Sequence, residues 1–282
     1  MSRVWLNGTL ADKTEPRLNV FDHGFLYGDG VWEHFRLYHG KPAHAEHHFR
    51  ILATAANALR IDIPLSQEQL LAAIEHTANA NNRTEGYVRV IVSRGPGTIG
   101  ADPRKIEPQV IVIAEEYQPF PHELYGHGLH AVFAPQPLRE DNPAHRYRTL
   151  NQLHAVHAKQ FALSHGCFEA IYQTPDGDCV GTTEGTLFVV KDRSLIVPAG
   201  QPEDVTAFAV STVAANSGMA VAEHAVNRAE LLAASEVFVA GTACGIIGLV
   251  RIAGQEIGSG TEGPTTATLR TAYNQHVRSE IR

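Results

Sequence analysis

In AEHHFRILATAANAL, near 45–59, apolar side chains fall at Phe49, Leu52, Ala56 and Leu59. Steps of three and four residues put them on one face, which predicts a helix. SQEQLLAAIEHTANAN repeats the signal, with Ser66 placed to cap the first turn and asparagines near the end. Around these segments the period changes. RVWLNG and VWEHFRLYHGK read as strands running into turns, and YVRVIVSRG and PQVIVIAE are β-branched runs of strand length.

From residue 118 the chain turns proline-rich, in QPFPHELYGHG and, after the strand LHAVFA, in APQPLREDNPAH. Proline has no N–H to donate and a fixed φ, so these stretches are poor helix or central-strand material. The break predicts a linker near 118–128, between a smaller α+β domain over 1–121 and a larger one over 122–282. Beyond it, HRYRTLNQL (145–153) leads into a helix from about 150 to 164, with Arg148 just ahead of the first turn. The partial positive charge of a helix N-terminus disfavours a cation there, so Arg148 asks for another reason. FEAIYQTPDGDCVGTTEGTLFVV reads as a strand pair and 203–217 as a helix. MAVAEHAV and SEVFVAG read as strands, IIGLVRIAGQEIG as a hairpin and PTTATLRTAYNQHV as a terminal helix. Many hairpins and few β-α-β units make the class α+β.

Composition narrows the function. The 282 residues are 44% apolar with a net charge of −7 and no long basic run. Nucleic acid and anionic membrane surfaces therefore lack electrostatic support as partners. No secretory pattern or membrane-length apolar run stands out. Cys167, Cys179 and Cys244 form an odd set without C-x-x-C spacing, which fits a reducing, cytoplasmic location.

Most candidate chemistry yields to plainer readings. RGPGTIG (94–100) contains G-x-G-x-x-G, but a dinucleotide fingerprint opens a helix, and here Asp102-Pro103 leads to another strand. HAEHH (44–48) sets His44 and His48 four apart without a convincing third ligand, so no metal site is expected. Two anion signals are better. VTAFAV opens a helix and GTACG follows the strand SEVFVA, each bringing backbone N–H groups and a threonine hydroxyl, Thr206 and Thr242, to an element end. Arg50 offers a counter-charge, although capping or turn roles explain each residue alone.

FDHGFLYGDGVWEHFRLYHGK (21–41), EHHFRIL, SRGPGTIGADPRK, FEAIYQTPDGD, SEVFVAGTACGIIGLVRIAGQEIG and EGPTTATL, taken in order, resemble the class IV, fold-type IV pyridoxal-phosphate enzymes. That family includes branched-chain and D-amino-acid aminotransferases and aminodeoxychorismate lyases. The resemblance implies a two-domain α+β fold with the active cleft between domains, and a homodimer. It sets Arg50, Val205, Thr206, Thr242 and Ala243 on cofactor-phosphate positions. Tyr27, Trp32 and Arg36 fall on a substrate-facing strand, and Arg94 on a substrate loop.

The resemblance fails at the family's lysine, which carries the cofactor in a Lys-Ser-Leu-Asn-Tyr type motif. This chain reads Arg148-Thr149-Leu150-Asn151-Gln152. Counting without a gap from Asp176-Gly177 to Phe188 puts Gly181 at the family's pyridine-binding glutamate; a gapped count would use Glu184 instead. An imine needs a neutral amine, whereas arginine stays protonated and its delocalised nitrogens are poor nucleophiles. Lys159 lies three turns along the expected helix, and Lys41, Lys105 and Lys191 fall in turns or loops. Tyr27, Glu184 and His154 are the remaining acid–base candidates. The expected function is action on a small anionic substrate (amino acid, 2-oxo acid or chorismate-like) by a non-canonical or cofactor-independent route. Arg148 would bind an anionic group, with the phosphate site retained and pyridoxal phosphate absent or weakly held. The alternatives are an ordinary aminotransferase using another lysine, and a binding homologue whose Arg148 only pairs with an acid.

Overall fold

The structure is a computed structural model that describes residues 2–117 and 120–281. It divides into two compact units, one of residues through Tyr117 with Tyr147–Gln152, the other of the intervening stretch with Leu153–Glu280.

The smaller unit contains β1 (Arg3–Leu6), β2 (Thr9–Asp12), α1 (His23–Tyr27), β3 (Gly30–Tyr38), β4 (Lys41–Pro42), α2 (Ala45–Ala58), α3 (Gln67–Ala80), β5 (Gly86–Ser93) and β6 (Gln109–Glu116). Its strands form an antiparallel sheet in the order β2-β1-β6-β5-β3-β4. Phe49 and Leu52 of α2 and Leu70 and Ile74 of α3 pack on Val31, Phe35, Val88, Val90 and Val112 of one sheet face. Burying each such large side chain contributes about 1.5–3 kcal/mol before entropy is charged. Both helices fall where the periodicity predicts them. Ser66 caps α3 in a reciprocal box with Gln69, each side chain bonding the other's backbone N–H. The Gly-rich 94–100 segment belongs to the β5–β6 connection and opens no helix.

The larger unit contains α4 (His122–His127), β7 (Leu129–Phe133), α5 (Pro143–Arg146), α6 (Leu153–Ser164), β8 (Glu169–Gln173), β9 (Cys179–Thr182), β10 (Thr186–Lys191), β11 (Ser194–Pro198), α7 (Val205–Asn216), β12 (Ala220–His224), α8 (Arg228–Leu232), β13 (Glu236–Gly241), β14 (Gly245–Ile252), β15 (Gln255–Glu256) and α9 (Pro264–Glu280). The sheet order is β12-β11-β10-β13-β14-β7-β8-β9, with β15 paired to β14. Its core joins Leu129, Ile171, Leu187, Val189, Val239 and Ile247, and the Phe188 and Phe238 rings stack at 4.9 Å. Among the described residues no helix is long and apolar enough to cross a membrane.

Three local expectations change. FEAIYQTPDGDCVGTTEGTLFVV makes three strands, β8 to β10, rather than a pair. Within the expected linker at 118–128, Gln118 and Pro119 lie outside the described residues, and α4 follows directly on Pro121. The proline stands at the cap, where it withholds no N–H that the helix needs. Finally, Tyr147–Gln152 is irregular, with a β-bridge at Thr149, and the helix begins only at Leu153. β4 covers β3 only at Leu37 and Tyr38, leaving the other end of that edge to be paired. The 147–150 stretch takes it, with Trp32 N–H donating to Arg148 O (2.9 Å), Leu150 N–H to Gly30 O (2.9 Å), and Val31 bridging Thr149. Arg148 therefore meets a strand edge and no helix dipole.

Candidate active site

In β3, alternate side chains point to opposite faces, so Glu33 shares the inward parity of Val31 and Phe35. A carboxylate there is fully buried and survives only with partners. Oε2 accepts from Arg148 Nη1 at 2.8 Å, Oε1 accepts the His34 N–H at 2.8 Å, and His48 Nδ1 lies 3.4 Å from Oε1. Burial pushes the Glu33 carboxyl up, but Arg148, then His48 and His34, overcome it and hold the group at about 2. Burial, reinforced by the Arg148 charge, pushes His34 well below the usual imidazole range, so its ring is neutral at pH 7. His34 Nδ1 meets the Tyr87 hydroxyl, which burial pushes up.

Beside this pair, Trp32 Nε1–H donates to Thr149 O at 3.0 Å, and its ring lies 4.2 Å from the Arg89 guanidinium and 5.8 Å from that of Arg148. Arg89 stands opposite His34 in the β3–β5 register and forms no ion pair with a described carboxylate.

The other expected residues of this unit lie apart from the pair in their contacts. Arg36 donates to Gly86 O (3.1 Å), reaches Glu85 (3.4 Å) and stacks on Tyr117. Arg94 is buried, with Nε and Nη2 on Asp29 (2.9 and 3.1 Å), Nη1 on Arg60 O (2.6 Å) and Nη2 also on Leu59 O (2.7 Å). Those bonds tie β5 to the α2–α3 connection and make Arg94 a structural cross-tie. The Tyr27 hydroxyl accepts the Gly100 N–H at 2.7 Å. Arg50 is exposed on α2.

In the larger unit, Thr206 and Thr242 are both buried with hydroxyls 3.3 Å apart, at the start of α7 and just after β13. Val205 is buried beside them and Ala243 half-buried. The first amides of α7 have no intrahelical acceptor, which suits an anion. Asp204 already occupies the cap, its Oδ1 accepting the Ala207 N–H at 2.9 Å. Its charge competes for the same dipole.

A second polar group surrounds the β9–β10 turn. Lys159 Nζ donates to Glu184 Oε1 at 2.6 Å and to Phe168 O at 2.7 Å. The fully buried Glu169 accepts from Ala170 N–H (2.8 Å), Thr183 N–H (3.0 Å) and the Thr183 hydroxyl. Burial pushes its carboxyl up to about 7, against the pull of Lys159 and Thr183. Gly181 has φ +115, and a Cβ there would lie 3.3 Å from Gln201 Oε1. Gln201 is pinned by Leu187 N–H (2.7 Å), Leu187 O (3.0 Å) and Pro198 O (2.9 Å). His154 lies edge-on to His145 at 5.0 Å. Among the described residues no group of three His, Cys, Asp or Glu side chains is disposed to hold a metal ion.

Sequence reasoning missed Glu33, Arg89, Glu169 and the engagement of Lys159, and weighed His48 only as a metal ligand. A charge at an inward-facing position of VWEHFRL was a visible signal for Glu33, since buried carboxylates need partners. Its partner, 115 residues away, was not visible from local pattern.

The family model for amino-transferase class IV matches residues 30–252. A Methanocaldococcus jannaschii protein, provisionally named a branched-chain-amino-acid aminotransferase, is 34% identical over 96% of this chain and 95% of its own. The D-alanine aminotransferase of Bacillus licheniformis is 30% identical over 99% and 98%. Among solved structures, the branched-chain aminotransferase of the thermophilic archaeon Thermoproteus uzoniensis, with norvaline, superposes with a TM-score of 0.91. It has 26% identity, and the match covers 98% of this chain and 94% of that one.

Proposed function

Because the chain belongs to the class IV aminotransferase family, we propose that it is an enzyme of that family acting on a small anionic substrate without an imine-forming lysine. The observation that carries this reading is the Arg148–Glu33 pair (2.8 Å), with Arg148 at the place where the resemblance implies the family's lysine. A guanidinium held by a fully buried carboxylate stays charged and cannot supply a neutral amine.

Pyridoxal phosphate, which the family implies, meets a mixed set of residues. The Thr206 and Thr242 hydroxyls and the α7 amides suit its phosphate. Where the resemblance implies the lysine anchor this chain has Arg148, which cannot form the imine. The ungapped position of the pyridine partner is Gly181, whose positive φ and Gln201 neighbour leave a glutamate side chain no unstrained place. Glu184, the gapped alternative, is engaged by Lys159. Residues suited to the cofactor's phosphate are present, and those suited to its aldehyde and ring nitrogen are not.

The chain's own groups divide the work by charge. The threonine cradle takes a phosphate-like or carboxylate group. Within the smaller unit, Arg89, unpaired by a described carboxylate and stacked on Trp32, suits a carboxylate, and Arg148 adds fixed positive charge near the same ring. Substrates carrying a carboxylate (amino acids, 2-oxo acids or chorismate-like acids) meet these demands. Glu184 and Tyr27 remain the candidate acid–base groups. A homodimer belongs to the same proposal, supported by exposed Leu18, Val20, Phe21, Phe25 and Leu26 in one stretch of chain.

The test is a turnover assay over a panel of amino acids, 2-oxo acids and chorismate-like acids, with and without added pyridoxal phosphate. The proposal expects turnover that added cofactor leaves unchanged. Turnover only with cofactor would restore the ordinary aminotransferase reading. Ligand binding without any turnover would identify a binding homologue.

A further inference from the structure

Within the larger unit, the turn that carries Thr242 is held from outside by α4. β13 and β14 pair through Gly241 and Gly245, so Thr242, Ala243 and Cys244 form a three-residue connection. On its other edge β14 is joined by β7 only from Leu249 onward. The carbonyls of Cys244 and Ile246, both buried residues, therefore have no partner on β7, and a buried carbonyl without a donor is costly. Two side chains meet them instead. The Tyr125 hydroxyl of α4 donates to Cys244 O at 2.9 Å, and Arg270 Nη1 of α9 donates to Ile246 O at 3.4 Å. Arg270 Nη1 also reaches Tyr125 O at 3.4 Å, and its guanidinium lies 5.3 Å from the Tyr125 ring. The guanidinium is itself fixed, with Nη2 on Glu262 Oε2 at 2.6 Å.

Tyr125 packs with Leu124 against the core that contains Cys244 and Ile247, a task a phenylalanine ring would also do. The hydroxyl adds one thing, a fixed direction for the last carbonyl of the turn. With Cys244 O held at one end and the Gly241–Gly245 pair at the other, Thr242 has little freedom. Its hydroxyl is kept 3.3 Å from that of Thr206. Donors already in place bind an anion without first having to be ordered. We propose that Tyr125 is a positioning residue of the anion site, acting on the ligand through the Thr242–Cys244 turn. The assignment rests on the reading of Thr206 and Thr242 as an anion cradle.

Titration of the full chain with inorganic phosphate, followed by its phosphorus resonance, tests the assignment beside amide hydrogen exchange of residues 241–246. Tyr125→Phe keeps the ring and removes the hydroxyl. It should weaken phosphate about fivefold, the loss set by one hydrogen bond of ordinary net strength, and speed exchange in the turn. Val189→Ala controls for general loosening. It opens a cavity in the same core, on β10 opposite Val237, and should lower the melting temperature while leaving phosphate affinity unchanged. Equal phosphate binding by the intact chain and Tyr125→Phe, or unchanged exchange in the turn, would overturn the assignment and leave the cradle standing. A loss in Val189→Ala equal to that in Tyr125→Phe would overturn it as mere destabilisation. An intact chain that binds no phosphate would remove the cradle itself, and the assignment with it.

Discussion

Replacing Arg148 by methionine isolates the interaction on which the functional reading rests. The change keeps an unbranched, apolar side chain and removes the charge that faces Glu33. In the intact protein the Glu33 carboxyl is held at about 2 rather than 4.5, which corresponds to about 3 kcal/mol of stability. The sign follows from the direction: a depressed folded value stabilises above the unfolded one, so this contribution is complete above about pH 4.5 and is lost as pH falls toward 2. Arg148→Met leaves the carboxylate buried without its strongest partner, and breaking such pairs costs about 3–5 kcal/mol. The double variant Glu33→Gln/Arg148→Met removes the stranded charge and should regain most of that loss. Trp5 and Trp32 are the chain's two tryptophans, and both lie in the smaller unit. Urea unfolding followed by tryptophan fluorescence at pH 7 therefore reports on the unit that contains the pair. An Arg148→Met midpoint matching the intact protein, or a double variant no better than the single one, would refute the argument.

Glu169→Gln tests the opposite sign. Its carboxyl is pushed up to about 7, so the folded state binds the extra proton and stability falls as pH rises from about 4.5 through 7. The total is about 3 kcal/mol, and thermal unfolding at pH 5 and pH 8 should lose this slope in the variant; an unchanged slope would contradict it. Gly181→Ala forces a side chain onto φ +115 and should cost about 1–3 kcal/mol in the same thermal assay, whereas a neutral effect would remove the backbone objection to a residue there. Asp204→Asn keeps the cap of α7 but removes its charge. Inorganic phosphate, followed by its phosphorus resonance, should then bind more tightly, and equal affinity would argue against a cradle at Thr206 and Thr242.

Elements governed by local periodicity were legible. α2 and α3 follow from apolar spacing and the cap of α3 from Ser66, and the β-branched runs became β5 and β6. What local pattern could not supply was any feature settled by distant contacts. Arg148 looked like a misplaced helix cation because nothing nearby reveals that 147–150 completes the open edge of β3. Arg94 looked like a substrate group because its charge is visible in sequence, while Asp29 and the carbonyls that consume it are not. Lys159 was set aside by its distance along a helix, and its bond to Glu184 arises where the β9–β10 turn meets α6. Arg148 and Gly181 stood out in the sequence through the resemblance alone, whereas the ion pair at one and the positive φ at the other required the fold.

The central claim, that no lysine of this chain carries the cofactor, is tested most directly by chemical trapping. The protein is incubated with one equivalent of pyridoxal phosphate, reduced with borohydride, and measured as intact mass with peptide mapping. The account predicts an unmodified chain, apart from trace labelling scattered over exposed lysines. A stoichiometric phosphopyridoxyl adduct confined to one lysine, Lys159 above all, would contradict it.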